Sequence, residues 1–449
     1  MSRRRVLKSG GVLAAGAGLG GLTACSGTGS MGSGGGTGSA GDAEKGSIKV
    51  WSWAGPAAEL RALVPAFNKK YPDIEVRVQD IGNPAIWDKI TTAMAAGGAG
   101  LADVLHIGVD YLPGYVEKFP GQIADLGPFG AESYKDAFAK GLWGTVCPDG
   151  KRINALPWEA NSAGFYYRAD VFEQAGVDVD AIATWDDAVE AGKTIKKKTG
   201  KYLLGIDKPA SQADSANLFQ MLLQLQGTMH FNLDGDIMLS SPEAVKAMTI
   251  IKKMNDAGLV NDISGGWNSL ISSIKKGTAA VVPWPTWFGG VIEETVPDQA
   301  GKWGVRLPPA VRRGGTQAAT VNSTHLAVSG ASKQQAAAWK FVEFALTRPE
   351  SQVKIYKGKG IAPALLKAYD DPVFHEPSKF FSGQKKGEIF LDALRAPAPA
   401  FNYTGDYARA LKAVTDAQTK VLLKGADPAA ALREAADQLA NQTGRKVVR

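Results

Sequence analysis

Eleven tryptophans, four histidines and two cysteines are spread over 449 residues, and their positions bound the chemistry open to the chain. His106, His230, His325 and His375 are scattered without metal-ligand spacing, so no metal and no cofactor are expected. No G-x-S-x-G turn or Walker loop occurs. Residues 16–21 fit G-x-G-x-x-G, but they lie in an apolar leader with no strand before them, which removes the dinucleotide reading. Cys147 reads as a small buried hydrophobe rather than a nucleophile. What remains is flat rings beside short polar groups. Trp53 and Asp110 stand just past two strand-like segments, with Tyr111 next to the aspartate, and Trp284 and Trp287 follow the strand-like run 279–282. Rings offer apolar faces and short polar side chains offer hydrogen bonds, the two surfaces needed by a sugar with C–H faces and a hydroxyl rim. Binding without turnover is the expectation. The alternatives are an exported carbohydrate-active enzyme, hydrolase or lyase, built on a carboxylate pair, and a receptor of the same fold for a non-sugar solute.

The elements that must hold these residues begin as strand–helix–strand. Residues 48–53 are strand-like, and 57–71 place Leu60, Leu63, Val64, Phe67 and Tyr71 at helical spacing. Pro72-Asp73 stops that helix before the alternating strand 74–78. A helix over 85–96, a glycine turn and a buried strand over 104–107 follow. This alternation predicts an α/β fold with a mostly parallel sheet flanked by helices, with ligands at the carboxyl ends of its strands. Further on, Thr184-Trp185-Asp186-Asp187 predicts a capping box. Asp234-Gly235 predicts a hairpin, and helices are expected over 217–225, 242–257, 268–276, 407–423 and from Pro428.

The first residues carry an address. Ser2-Arg3-Arg4-Arg5-Val6-Leu7-Lys8 holds a twin arginine, and an apolar run over 10–24 ends in Leu22-Thr23-Ala24-Cys25. This is the pattern of an export signal over 1–24, of twin-arginine or general secretory type. Its ending resembles the lipobox of bacterial lipoproteins, which implies a lipid on Cys25. The run is shorter than the roughly 20 apolar residues a spanning helix needs. Residues 25–46 are rich in Gly and Ser and read as a flexible tether. The expected location is the outer face of the cytoplasmic membrane, lipid-anchored. Four of the seven net positive charges belong to Arg3, Arg4, Arg5 and Lys8 in the leader. The remainder is only weakly basic, with no basic stripe interleaved with aromatics, and nucleic acid is not an expected partner.

Several blocks, in order, carry a resemblance: Ile48 to Trp53; Leu63 to Val76; Ala102-Asp103-Val104; Leu156-Pro157-Trp158 through Phe165-Tyr166-Tyr167-Arg168-Ala169-Asp170 to Thr184-Trp185-Asp186; Lys276-Gly277-Thr278-Ala279-Ala280 to Trp287; Trp303 to Pro308; and Ala338 to Val342. The chain resembles the family 1 extracellular solute-binding proteins of ABC importers, the maltose-binding-protein-like group. The resemblance implies two α/β lobes with a ligand cleft at the hinge, three chain crossings near 157–161, 317–322 and 361–365, and discontinuous lobes. Lobe I is expected over 47–158 plus 320–362 and lobe II over 159–319 plus 363–449. It implies a monomeric receptor for a mono- or oligosaccharide, delivering it to an ABC permease.

Matched position by position, Asp110 falls where the family places a hydroxyl-gripping aspartate. Asn161 falls near the first crossing, where the family has a carboxylate, and Trp287 falls on a stacking tryptophan. Trp53, Tyr111, Gln220, Trp267 and Trp284 complete the candidate ligand-binding set, and Glu159 is either a contact or a hinge partner. By position, Trp51, Trp185 and Trp339 read as core, Trp158 as hinge packing or contact, and Asp103 as a turn cap.

Overall fold

The computed structural model describes residues 45–210, 213–321, 323–396 and 402–449. The leader, Cys25 and most of the tether lie outside the described residues, as does Asn322 at the second expected crossing. Ten strands are present among the described residues. They are β1 (Gly46–Ser52), β2 (Ile74–Asp80), β3 (Val104–Gly108), β4 (Leu156–Pro157) and β5 (Ala163–Arg168). The others are β6 (Leu204–Ile206), β7 (Val260–Asp262), β8 (Val281–Pro285), β9 (Trp303–Arg306) and β10 (Thr324–Val328).

The opening strand–helix–strand forms as its pattern dictates. Helix Ala54–Lys70 buries Leu60, Leu63 and Phe67 on one face, and β1 lies parallel to β2 from Gly46↔Ile74 to Ser52↔Asp80. β3 pairs parallel on the other side of β1, giving the order β2-β1-β3-β10-β4. β10 returns late in the chain and runs antiparallel to both β3 and β4. The first core packs against this sheet and includes Ile48, Val50, Trp51, Trp158, Phe341 and Trp339.

In the second lobe the pairing differs from the mostly parallel expectation. β5 lies between β8 and β9 and is antiparallel to each. Parallel pairing there is found between β6 and β7 and at the isolated bridges Tyr202 to Ala279, Thr184 to Ala310 and Ile237 to Val447. The α/β class stands, but this three-stranded sheet is antiparallel throughout. Strand alternation then feeds two cores. Phe165 and Val281 face one with Trp185 and Phe219, while Tyr166 and Val282 face another with Phe288, Trp303 and Phe381.

Three segments run side by side where crossings were expected. Ala160 N donates to Ala362 O at 3.0 Å, Val321 N to Asn161 O at 2.9 Å, and Ala163 N to Ala319 O at 2.8 Å. The chain beyond 362 stays on the first core for a further stretch, through Ala364, Leu365, Tyr369 and Phe374, before Phe380 and Phe381 reach the second sheet.

Candidate functional site

The carboxyl ends of β1 and β3 raise one wall. β1 ends at Ser52, and Trp53 follows in extended conformation before its helix. β3 leads through Val109 and Asp110 to Tyr111 and the short helix Leu112–Lys118. Helix Ala85–Ala95 lies alongside and supplies Trp87. The rings form a row. Trp53 lies 4.2 Å from His106 and meets Trp87 edge-on at 5.2 Å. Trp87 stacks on Tyr111 at 4.4 Å with 13° between planes, and Tyr115 follows at 5.9 Å from Tyr111. The Trp87 indole N–H donates to Asn83 Oδ1, so only its ring is offered to neighbours. Burial, with Asp110 and Asp88 nearby, pushes the Tyr111 phenol up to about 12, so it stays protonated and can donate.

Behind this wall a buried polar chain runs to the crossings. Ser52 Oγ lies 2.9 Å from His106 Nδ1, and His106 Nε2 lies 2.8 Å from Thr324 Oγ1. Thr324 Oγ1 donates to Glu159 Oε1 at 2.7 Å. Burial holds His106 well below its ordinary range, so its ring is neutral, with one nitrogen donating and one accepting. With Thr324 donating to Glu159, its oxygen accepts from His106 Nε2–H, and Nδ1 accepts from Ser52. Burial raises Glu159 to about 7, against the lowering effect of hydrogen bonds from Thr324 and Asn161.

The opposite wall comes from the far end of the sequence. Helix Tyr407–Lys424 begins with Tyr407, whose hydroxyl accepts from Gln220 Nε2 at 2.5 Å. Tyr403 meets Tyr407 edge-on at 5.0 Å, and His230 meets it at 5.3 Å. Val109, on the loop after β3, packs against Met229, Tyr403 and Tyr407. Between the walls lies a cavity of about 720 Å³, lined by Asp110, Tyr111 and Tyr115 on one side and by Tyr407, Leu411 and Lys412 on the other.

The candidate residues therefore divide. Asp110 and Tyr111 line this cavity, and Trp53 supports it through Trp87. Gln220 is buried behind Tyr407, and Asn161 is fully buried at the crossings. Trp267, Trp284 and Trp287 gather in a second cluster around Phe288, where Trp267 and Trp287 stack at 6.0 Å. Trp267 and Trp284 also line a separate, small apolar cavity of about 50 Å³ with Ile206, Leu218 and Leu270. Tyr403, Tyr407 and Trp87 were not singled out as site residues. The available signal was two tyrosines around a helix start, Tyr403 before it and Tyr407 at its first position.

The remaining side chains are structural. Trp158 and Trp185 are fully buried, and Trp51 and Trp339 nearly so. Asp103 accepts from Lys49 N at 2.8 Å and from Ser332 Oγ at 2.6 Å, pinning two segments together. Burial pushes the Cys147 thiol up to about 11, the opposite of an activated nucleophile.

A model of the bacterial extracellular solute-binding proteins matches residues 51–352. The lactose-binding protein of Rhizobium radiobacter is 28% identical over 408 residues, 88% of this chain and 93% of that protein. The arabinooligosaccharide-binding protein of Bacillus subtilis is 26% identical over 380 residues, covering 82% of this chain and 86% of its own. Among solved structures, the ABC transporter associated binding protein from B. animalis subsp. lactis, in complex with β-1,6-galactobiose, superimposes with a TM-score of 0.72 at 24% identity, covering 90% of this chain and 99% of that one. With two α/β lobes, a cavity walled from both, and a match through most of its length, the chain belongs to the bacterial extracellular solute-binding proteins.

Proposed function

We propose that this chain is the receptor of an ABC importer and binds a neutral oligosaccharide between its lobes. The observation that carries the reading is the 720 Å³ cavity itself, which joins Asp110 and Tyr111 to Tyr407. A carboxylate and two phenols suit hydroxyls, and the rings of Tyr111 and Tyr115, with Trp87 stacked on Tyr111, suit C–H faces. The lining charges balance. Lys412 Nζ lies 2.6 Å from both carboxylate oxygens of Asp416, and Lys118 Nζ donates to Gly405 O. Lys118 and Lys412 are matched in number by Asp110 and Asp416, so the lining carries no net charge and favours an uncharged ligand. The names of the relatives point to lactose and arabino-oligosaccharides as first probes.

On this reading, lobe I is 47–158 plus 320–362 with part of the following chain, and lobe II the rest. The three side-by-side segments act as the hinge. A ligand that contacts both lobes only when they close shifts the equilibrium toward closed, through a hinge motion in which a few connecting residues absorb the backbone change. The closed receptor docks on permease subunits. A lipid on Cys25 and the 25–46 tether keep the monomer at the outer face of the cytoplasmic membrane, raising its effective concentration there.

Titration calorimetry of the purified chain with lactose, β-1,6-galactobiose and arabino-oligosaccharides tests the proposal. The expected result is binding of at least one, with the sugar recovered intact. Saturation at about 100 times Kd should stabilise the fold by about 2.7 kcal/mol. Cleaved products would replace the receptor reading with an enzymatic one, and heat from none of the sugars would remove the carbohydrate assignment.

A further inference from the structure

Beyond the cavity the two lobes meet again at its outer lip. Helix Leu112–Lys118 stands on the first lobe, anchored by Leu112 and Tyr115 in that core. Facing it is the segment before helix Tyr407–Lys424, tied to the second lobe by the bridge from Asn402 to Phe231. Gly405 N donates to Glu117 Oε2 at 3.2 Å, and Gly405 O accepts from Lys118 Nζ at 2.9 Å. Arg445 Nη2 lies 4.0 Å from Glu117 Oε2 while its Nε donates to Asp406 Oδ2 at 2.9 Å. The Arg445 guanidinium also lies over the Phe231 ring at 5.5 Å, which fixes it to the second lobe.

Two glycines face each other across the contact, and a side chain at Gly405 would displace the Glu117 carboxylate. A Cβ on Gly405 would stand 2.5 Å from Glu117 Oε2 and 3.5 Å from Gly114 Cα, and one on Gly114 would stand 3.6 Å from Gly405 Cα. The contact is also a partition. Gly114, Lys118 and Gly405 line the 720 Å³ cavity, while Glu117, Thr404 and Arg445 line a separate polar cavity of about 270 Å³ outside it.

We infer that Glu117 and Lys118, acting on Gly405 and Arg445, form a latch between the lips of the cleft that sets affinity and release rate through the open–closed equilibrium, with Glu117 and Arg445 standing outside the ligand cavity. The Glu117 side chain is 57% exposed, so solvent screens each bond. The latch therefore biases the open–closed equilibrium by about threefold to tenfold and does not lock it. Only the affinity arm of its test rests on the proposed carbohydrate binding.

Hydrogen–deuterium exchange on the full chain, without sugar, reads the latch directly. In Glu117→Ala and in Arg445→Ala, peptides covering 112–119 and 402–408 should exchange about threefold to tenfold faster, with β5 peptides and the melting temperature nearly unchanged. High salt, which shortens the screening length from about 10 Å at 0.1 M to about 3 Å at 1 M, should speed exchange in the parent chain but not in Glu117→Ala. Glu117→Gln keeps an acceptor for the Gly405 amide and should fall between them. Gly405→Val, which wedges the lips by volume, should mimic Glu117→Ala. Unchanged exchange at both peptides in Glu117→Ala overturns the latch, whatever sugars do. With lactose as probe, Glu117→Ala should release faster at an unchanged association rate. Equal release rates with lactose still bound would also overturn the latch. If neither lactose nor the other sugars bind, the carbohydrate reading falls and the exchange result still decides the latch.

Discussion

The first-lobe wall of the cavity is a row of rings held by other rings, whereas the second-lobe wall is a pair of tyrosines held by side-chain amides, Tyr407 by Gln220 and Tyr403 by Gln224. Trp53, Trp87 and Tyr111 fix each other through stacked and edge-on contacts within about one ring width. Tyr407 is oriented by Gln220, which lies 187 positions away in sequence. The first wall is built from neighbouring strand ends and is a matter of shape. The second depends on a buried hydrogen bond, whose direction matters and whose loss leaves a polar group stranded. The lesson is that apolar platforms can be assembled locally, while hydroxyl-directing groups need partners brought in by the fold.

Four experiments sharpen or break that contrast between packing and site. The largest effect is expected from Trp185→Ala, which empties a fully buried position in the second core. It should cost about 3–5 kcal/mol of stability in denaturant unfolding, with sugar affinity of the surviving folded fraction unchanged. A small stability loss would mean that the core reading of Trp185 is wrong. Asp110→Ala should do the reverse, lowering affinity about tenfold to hundredfold in calorimetry with little change in melting temperature. Full affinity in that variant would break the cavity assignment.

Acid stability tests the polar chain behind the first wall. Burial holds His230 and His325 at about 3 and His106 well below its ordinary value, so below pH 6.5 the unfolded chain takes up protons that the folded chain refuses. Glu159 works the other way. Raised to about 7, it binds a proton in the folded state that the unfolded chain lacks above about pH 4.5, so its burial cost is absent below pH 4.5 and fully present above pH 7. The three histidines outweigh it, and stability should fall on acidification from pH 6.5 to 4.5. Glu159→Gln removes the opposing contribution and should steepen that fall by about 1.4 kcal/mol per pH unit. An unchanged slope in pH-dependent unfolding would show that Glu159 is not protonated in the folded chain. The smallest effect is expected at Trp267, which is 40% exposed and stacked on Trp287. Trp267→Ala should shift stability by less than about 1 kcal/mol and cost less affinity than Asp110→Ala. A larger affinity loss than Asp110→Ala would move the ligand to the second aromatic cluster.

Much of the local structure was legible because its causes are local. The Thr184–Asp187 capping box forms with both reciprocal bonds, and Phe231 bridges Ile237 across the Asp234-Gly235 turn. Helix Pro242–Asp256 starts where Ser241 and Pro242 place it. Asp110 and Tyr111 were legible as candidates because they follow a strand end, and both line the cavity between the lobes. Gln220 was legible only as a polar residue on an apolar helix; its buried place behind Tyr407 was not. Trp267 and Trp284 read as candidate contacts, yet they share a second, small cavity apart from Asp110.

By itself the sequence determined the long periodic helices, the Thr184 and Ser241 caps and the first three strands, since periodicity and turn chemistry act within a few residues of one another. The tertiary structure alone decided that β5 runs antiparallel between β8 and β9, which tryptophans are core, and that Tyr407 faces Asp110 across one cavity. Those outcomes depend on segments far apart in the chain, whose meeting is set by how whole apolar faces pack rather than by any local pattern.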